Sequence, residues 1–187
     1  MFNVGDKIVY PMHGAGTIES IEEKDILGTK QSYYILRMPG EVKVMVPTAK
    51  AKEVGVRDVI DKESADKVFQ ILEHDSTQMA MNWNKRYRDN IEKMKTGDIY
   101  EIADVVRNLS FKQKEKGLST GEKKMLENAK QILVSELVLA EHSTKDEIED
   151  QVDNTICKSF ETYQHNSKSE ISDNIVKKFI PFDSSEA

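Results

Sequence analysis

The residues with most to offer a partner lie together at Trp83-Asn84-Lys85-Arg86-Tyr87-Arg88, where the only tryptophan of the chain is followed by three cations. Cationic side chains neutralise phosphates, and a flat apolar ring beside them can lean on sugars or lodge at a base step where stacking is weak. Lys85, Arg86 and Arg88 therefore read with Trp83 as a nucleic-acid surface. Asn82 is a helix cap, and the free N–H groups and partial positive charge of the helix start it opens favour a phosphate at the same place. A second reading stays open: Trp83, Tyr87, Ile91 and Met94 recur at helical spacing, which would make the indole the top of a core stripe. Its position in the first turn, where a side chain can overhang the packed part of the helix, favours exposure.

Other chemistry finds little support. There is no phosphate-cradling loop of Walker type, no nucleophile elbow and no His–Glu pair on one helix. Gly14-Ala15-Gly16, between two strand patterns, reads as a turn and bulge. His13, His74, His142, His165 and the lone Cys157 lack metal-ligand spacing, and one cysteine makes no internal disulfide. The expectation is a protein that is not an enzyme, with no metal, cofactor or small-molecule substrate.

Charge points to the same stretch. The net charge is −6 over 187 residues, yet residues 83–135 carry 12 Lys and Arg against 8 Asp and Glu, a net of +4. Residues 1–82 carry 10 against 13 and residues 136–187 carry 5 against 12, nets of −3 and −7. A cationic middle is flanked by two anionic parts, and a polyanion belongs in the middle. Lys112, Lys114, Lys116, Lys123, Lys124 and Lys130 could extend that surface, although lysines on amphipathic helices are commonly a solvated face. No helix-turn-helix spacing, zinc finger or RNP aromatics accompany them, so binding should be independent of sequence or tuned by DNA deformability.

The elements that must hold these residues are clearly punctuated. Lys7–Tyr10, Gly16–Ile21, Ser32–Met38 and Val42–Val46 read as short strands separated by Pro11-Met12-His13-Gly14, Leu27-Gly28-Thr29-Lys30 and Pro39-Gly40. Val42, Val44 and Val46 alternate with Lys43 and Met45, one side for burial and one for solvent or a partner. A short helix that Ser64 can cap, ending near Leu72, reads as the hinge between modules. The patterns that follow are Trp83 to about Lys95, stopped by Thr96-Gly97; a helix opened by Asp98 and Glu101; one opened by Ser119 and Glu122; and one opened by Thr144 and Glu147. The expected fold is α+β in two domains: a small β-barrel over residues 1–60, a compact all-α domain over 61–160, and a mobile tail over 161–187. No apolar run approaches the roughly 20 residues that span a bilayer and no signal peptide opens the chain, so the expected location is cytoplasmic, with no membrane partner.

Several separated motifs, in order, resemble one family. Val4-Gly5-Asp6-Lys7-Ile8-Val9-Tyr10-Pro11-Met12-His13-Gly14, Val46-Pro47, Asn82-Trp83 with Arg86-Tyr87, Gly97-Asp98, Val105-Val106-Arg107, Gly117-Leu118-Ser119 and Gly121-Glu122-Lys123 are similar to the CarD/CdnL family of bacterial transcription regulators. The N-terminal part also resembles the RNA-polymerase-interacting domain of the transcription-repair coupling factor, a Tudor-like or SH3-like barrel.

The resemblance implies that the barrel binds the RNA polymerase β subunit. It implies too that the helical domain lies on promoter DNA at the upstream edge of the −10 element, with Trp83 as a minor-groove wedge that stabilises the open complex. By the same resemblance Arg88 and Lys123 contact the DNA backbone, while Lys24, Ile26 and Met45 lie on polymerase-facing strands. Met45 stands where relatives often carry arginine, and Ser110-Phe111 replaces an aromatic-then-basic pair. The rival reading is a protein-only polymerase adaptor in which Trp83 is core and the cations are a solvated face.

Overall fold

The computed structural model describes residues 1–178, with side chains described through residue 166. Short β-rich stretches broken by Pro and Gly form a five-stranded antiparallel sheet: β1 (Lys7–Tyr10), β2 (Gly14–Ile26), β3 (Thr29–Arg37), β4 (Lys43–Pro47) and β5 (Arg57–Asp58), in the spatial order β4-β3-β2-β1-β5. β2 is longer than its pattern predicts because it serves two partners, β1 from Gly14 to Thr17 and β3 from Thr17 to Ile26. A bulge between Ile18 and Ser20 interrupts the second ladder, a feature that bends a strand and increases its twist. Ile8, Ile18, Tyr34, Leu36, Val46 and Ala51 are packed together as the core of the sheet. No ladder joins β4 to β5 among the described residues, so this Tudor-like domain is an open sheet with β4 as a free edge.

Five helices follow: α1 (Lys62–Glu73), α2 (Trp83–Lys95), α3 (Ile99–Lys116), α4 (Thr120–Glu141) and α5 (Lys145–Lys178). Asp61, Asn82, Asp98 and Ser119 cap the first four, each side chain accepting a backbone N–H of the first turn. Ser64 is thus not the cap of α1 but the residue whose N–H Asp61 accepts. The box at Ser119 and Glu122 closes in both directions. At Asp98 it does not: the Asp98 carboxylate accepts the Tyr100 N–H at 2.8 Å, the Asp98 N–H donates to Thr96 Oγ1 at 3.1 Å, and the Glu101 carboxylate lies 3.5 Å from Lys93 Nζ on α2.

α1 is no hinge. Ala65, Val68 and Leu72 are buried in the same core as Met94, Ile102, Leu109, Leu133 and Ile148, which makes it part of the helical domain. α5 continues past residue 160 to Lys178. Around residue 160 the helix is anchored: the Phe160 and Tyr163 rings lie 5.2 and 5.8 Å from Phe111 on α3, and the Ser159 hydroxyl donates to the Glu73 carbonyl at the end of α1, 2.7 Å away. The remainder of the expected tail, residues 179–187, lies outside the described residues.

The sheet sits directly on α4. The Ala15 N–H donates to Ser135 Oγ at 2.8 Å, and a Cβ at Gly14 would stand 2.5 Å from that same oxygen. Gly14 and Gly16 therefore permit a close approach between β2 and its neighbours, and the bulge lies further along the strand. Arg57 on β5 donates twice to Glu136 on α4, at 2.6 and 2.9 Å, and Lys7 Nζ donates to the Leu139 carbonyl at 3.0 Å. Glu136 has no exposed surface and also accepts the Ile60 N–H at 3.1 Å.

Candidate nucleic-acid interface and sheet face

α2 turns one face to the core, burying Met94 and Asn90 and half-burying Ile91 and Tyr87. Burial falls off towards the N-terminus of the helix, and Trp83 is 43 % exposed. The apolar stripe of the sequence is real, and the indole overhangs its end. The ring stacks on Tyr87, centroids 5.4 Å apart and planes 28° from parallel. Its Nε1–H donates to Ser119 Oγ at 2.9 Å, although Ser119 is 36 residues further along the chain.

Behind the indole a chain of polar contacts runs inward. Ser119 Oγ donates to Glu122 Oε2 at 2.9 Å, and Glu122 Oε1 accepts from Arg86 Nε at 2.7 Å. Arg86 Nη1 reaches the carbonyls of Ala80 and Met81 at 2.9 and 3.0 Å. Burial works to raise the Glu122 carboxyl, but the Ser119 N–H, the Arg86 guanidinium and the Ser119 hydroxyl outweigh it and hold the group below the usual carboxylate range. Arg86 is itself buried, so its charge is spent inside the protein and it separates from its neighbours Lys85 and Arg88. The sequence carried a signal for this. Positions 86 and 90 fall three and seven residues after Trp83, on the inward stripe, where a polar side chain needs a partner.

Lys85, Arg88 and Lys123 are exposed and make no ion pair among the described residues. The Arg86–Glu122 contact brings Lys123, on the first turn of α4, to the Trp83 end of α2. The other lysines divide. Lys112 donates to the Gly117 carbonyl at 3.2 Å, Lys114 lies 5.6 Å over the Phe160 ring and Lys130 pairs with Asp153 at 2.5 Å, whereas Lys116 and Lys124 stand exposed like Lys123. Met81, 92 % exposed beside this surface, was not singled out by its sequence context. The segment leading to it is anchored by Asn108, which accepts the Thr77 N–H at 3.0 Å and donates to Thr77 Oγ1 at 2.8 Å.

The register of the sheet brings the other three candidates to one face. Met45 on β4 stands opposite Ile35 on β3, Lys24 on β2 opposite Gln31, and Ile26 opposite Thr29. Directly opposed residues share a face, and Thr29, Gln31, Tyr33 and Ile35 alternate along β3, so Lys24, Ile26 and Met45 all point the same way. Ile26 and Met45 are 40 % and 48 % exposed, and Lys24 pairs with Glu22 at 2.7 Å. On this face the Glu22–Lys24 pair lies between Ile26 at one end and Met45 with Ile35 at the other, next to a free strand edge.

Comparison with known proteins gives two family matches. Residues 2–60 match the CarD-like/TRCF RID domain, and residues 67–153 match the C-terminal domain of CarD. A relative from Bacillus subtilis (strain 168), YdeB, whose name gives it as a candidate transcription factor, is 46 % identical over 149 residues, spanning 79 % of this chain and 97 % of YdeB.

Proposed function

The chain belongs to the CarD family of transcription factors and carries an RNA-polymerase-interacting domain at its N-terminus, and on that footing we propose that it stabilises the open promoter complex by touching polymerase and DNA at once. The face of Lys24, Ile26 and Met45, with the β4 edge, docks on the polymerase β subunit. Trp83, flanked by Lys85, Arg88 and Lys123, contacts promoter DNA in the minor groove at the upstream edge of the −10 element. Arg86 supports this surface from within and does not itself meet DNA.

The observation that carries the reading is the exposed indole at a helix start, on a stretch where Lys85, Arg88 and Lys123 are exposed and make no ion pair among the described residues, in a chain whose net charge is −6. An acidic protein binds free DNA poorly. Joining two weak contacts in one body raises the effective concentration of the second, so neither surface needs high affinity alone. Because the cations meet phosphates and the ring meets carbon, the contact tolerates many sequences.

The test is the lifetime of the open complex on a ribosomal-RNA promoter with matched polymerase. Trp83→Ala should shorten it by about tenfold, in the range of removing one stacking platform, with polymerase binding retained. Raising salt should weaken the effect of the wild type steeply. A folded Trp83→Ala variant that matches wild type, with little salt dependence, would instead support a protein-only adaptor.

A further inference from the structure

A tryptophan in the first turn of a helix, nearly half exposed, would ordinarily sample several rotamers. Here three contacts restrain it. Tyr87 covers one face of the ring at 5.4 Å. Gly121, on the first turn of α4, borders the ring edge, where a Cβ would make an ordinary van der Waals contact with Trp83 Cζ2 at 3.6 Å. Ser119 Oγ takes the Nε1–H at 2.9 Å.

The third contact is the directional one. An indole N–H only donates, so Ser119 must accept. The serine proton has its own target in Glu122 Oε2, 2.9 Å away, and that carboxylate is held in turn by Arg86. With the hydroxyl proton committed to Glu122, a lone pair is left for the indole. We propose that Ser119 is a positioning residue for Trp83, setting the angle of the ring and turning its carbon edge outward. This rests on the reading of Trp83 as the DNA wedge, and it adds a reason for that wedge's indifference to sequence. A free indole N–H could donate to the O2 and N3 acceptors of the minor groove and so acquire a preference, whereas an engaged one offers only carbon.

The single tryptophan makes the proposal directly measurable, because all indole fluorescence of the full-length protein comes from Trp83. Ser119→Gly removes the hydroxyl while leaving a residue tolerated at a helix cap, and Ser119→Thr restores a hydroxyl. In Ser119→Gly the time-resolved anisotropy should gain a fast component and the emission should move to longer wavelength. The open complex should lose roughly threefold to tenfold in lifetime, the ordering cost of one rotamer-rich side chain. Ser119→Thr should return both readouts to wild type. Trp83→Phe keeps a ring but has no N–H, so adding Ser119→Gly to it should change the lifetime no further.

Unchanged anisotropy in Ser119→Gly would overturn the proposal. So would an equal loss of lifetime on adding Ser119→Gly to Trp83→Phe, which would mark the serine as a helix cap alone. A ring that loosens in Ser119→Gly, together with a Trp83→Ala variant that leaves the lifetime intact, would confirm the restraint and overturn the wedge.

Discussion

The Arg86–Glu122 pair lies inside the helical domain with side chains 10 % and 2 % exposed, whereas Arg57–Glu136 spans from the sheet to α4 with 32 % and 0 % exposed. In both, the carboxylate is buried and takes a backbone N–H as well as the guanidinium, Ser119 for Glu122 and Ile60 for Glu136. In both, the arginine also serves carbonyls of an otherwise irregular segment: Ala80 and Met81 for Arg86, Gly97 for Arg57 at 3.1 and 2.7 Å. Removing two charges from water is costly, and their attraction offsets that only when further hydrogen bonds satisfy them. The two pairs meet that condition, and what they contribute is placement. One holds the approach to Trp83, and the other holds the sheet against α4. They differ in their access to water, and that difference predicts how each responds when broken.

The largest effect should come from Glu122→Ala. It opens the capping box of α4 and strands a guanidinium that is 9 % exposed, so a loss of about 3–5 kcal/mol in urea denaturation is expected, with a change in Trp83 fluorescence. A loss under about 1 kcal/mol would mean that Arg86 finds water after all.

Glu136→Ala should be milder, about 1–3 kcal/mol, because Arg57 is already about a third exposed and can rehydrate. Its signature should be faster amide exchange at Ile60 with Trp83 fluorescence unchanged. Polymerase should still bind, but open-complex stabilisation should weaken because the two surfaces lose their set spacing. Altered fluorescence here, or unchanged Ile60 protection, would break the distinction between the pairs.

Acid sharpens the comparison further. Glu147, at the start of α5, is lowered from an ordinary value of 4.5 to about 2 by the Ser143 hydroxyl and the Thr144 N–H and hydroxyl, and Glu122 is lowered as well. A depressed carboxyl contributes stability above its unfolded value and loses it as pH falls through its folded one, so the start of α5 should weaken as pH drops from about 4.5 towards 2, and the start of α4 as pH falls below the usual carboxylate range. Thermal midpoints of Glu147→Gln should fall less over that interval than those of wild type. The smallest effect belongs to Glu63→Ala, which removes the exposed pair with Lys67 on α1 and should leave the midpoint within error of wild type.

Much of the fold was legible because its signals are short in range. The strands at Lys7–Tyr10 and near Val46, the caps at Asn82, Asp98 and Ser119, and the stop at Gly97, which adopts φ +70°, each depend on neighbours within a few residues. β5 was missed because two residues paired to β1 leave no pattern, and α5 outran its expected end, anchored around residue 160 where Phe160 and Tyr163 meet Phe111. Of the candidate site, the overhang of Trp83 was readable from its place in the helical stripe. The separation of Arg86 from Lys85 and Arg88 was not drawn, since composition sees three equal cations and only the stripe tells inward from outward.

The sequence by itself determined where elements start and stop, which stretch is basic and where the aromatic must stand, because capping, turn formation and periodicity act along a few residues of backbone. Only the tertiary structure decided which carboxylate the inward Arg86 meets, that Ser119 receives the indole, that Lys24, Ile26 and Met45 share a face, and that Arg57 joins the sheet to α4. Those contacts bridge chain separations of 36 residues for Trp83 and Ser119 and 79 for Arg57 and Glu136. Partners so distant meet only when packed helices and a registered sheet have brought their surfaces together, and no local rule reaches that far.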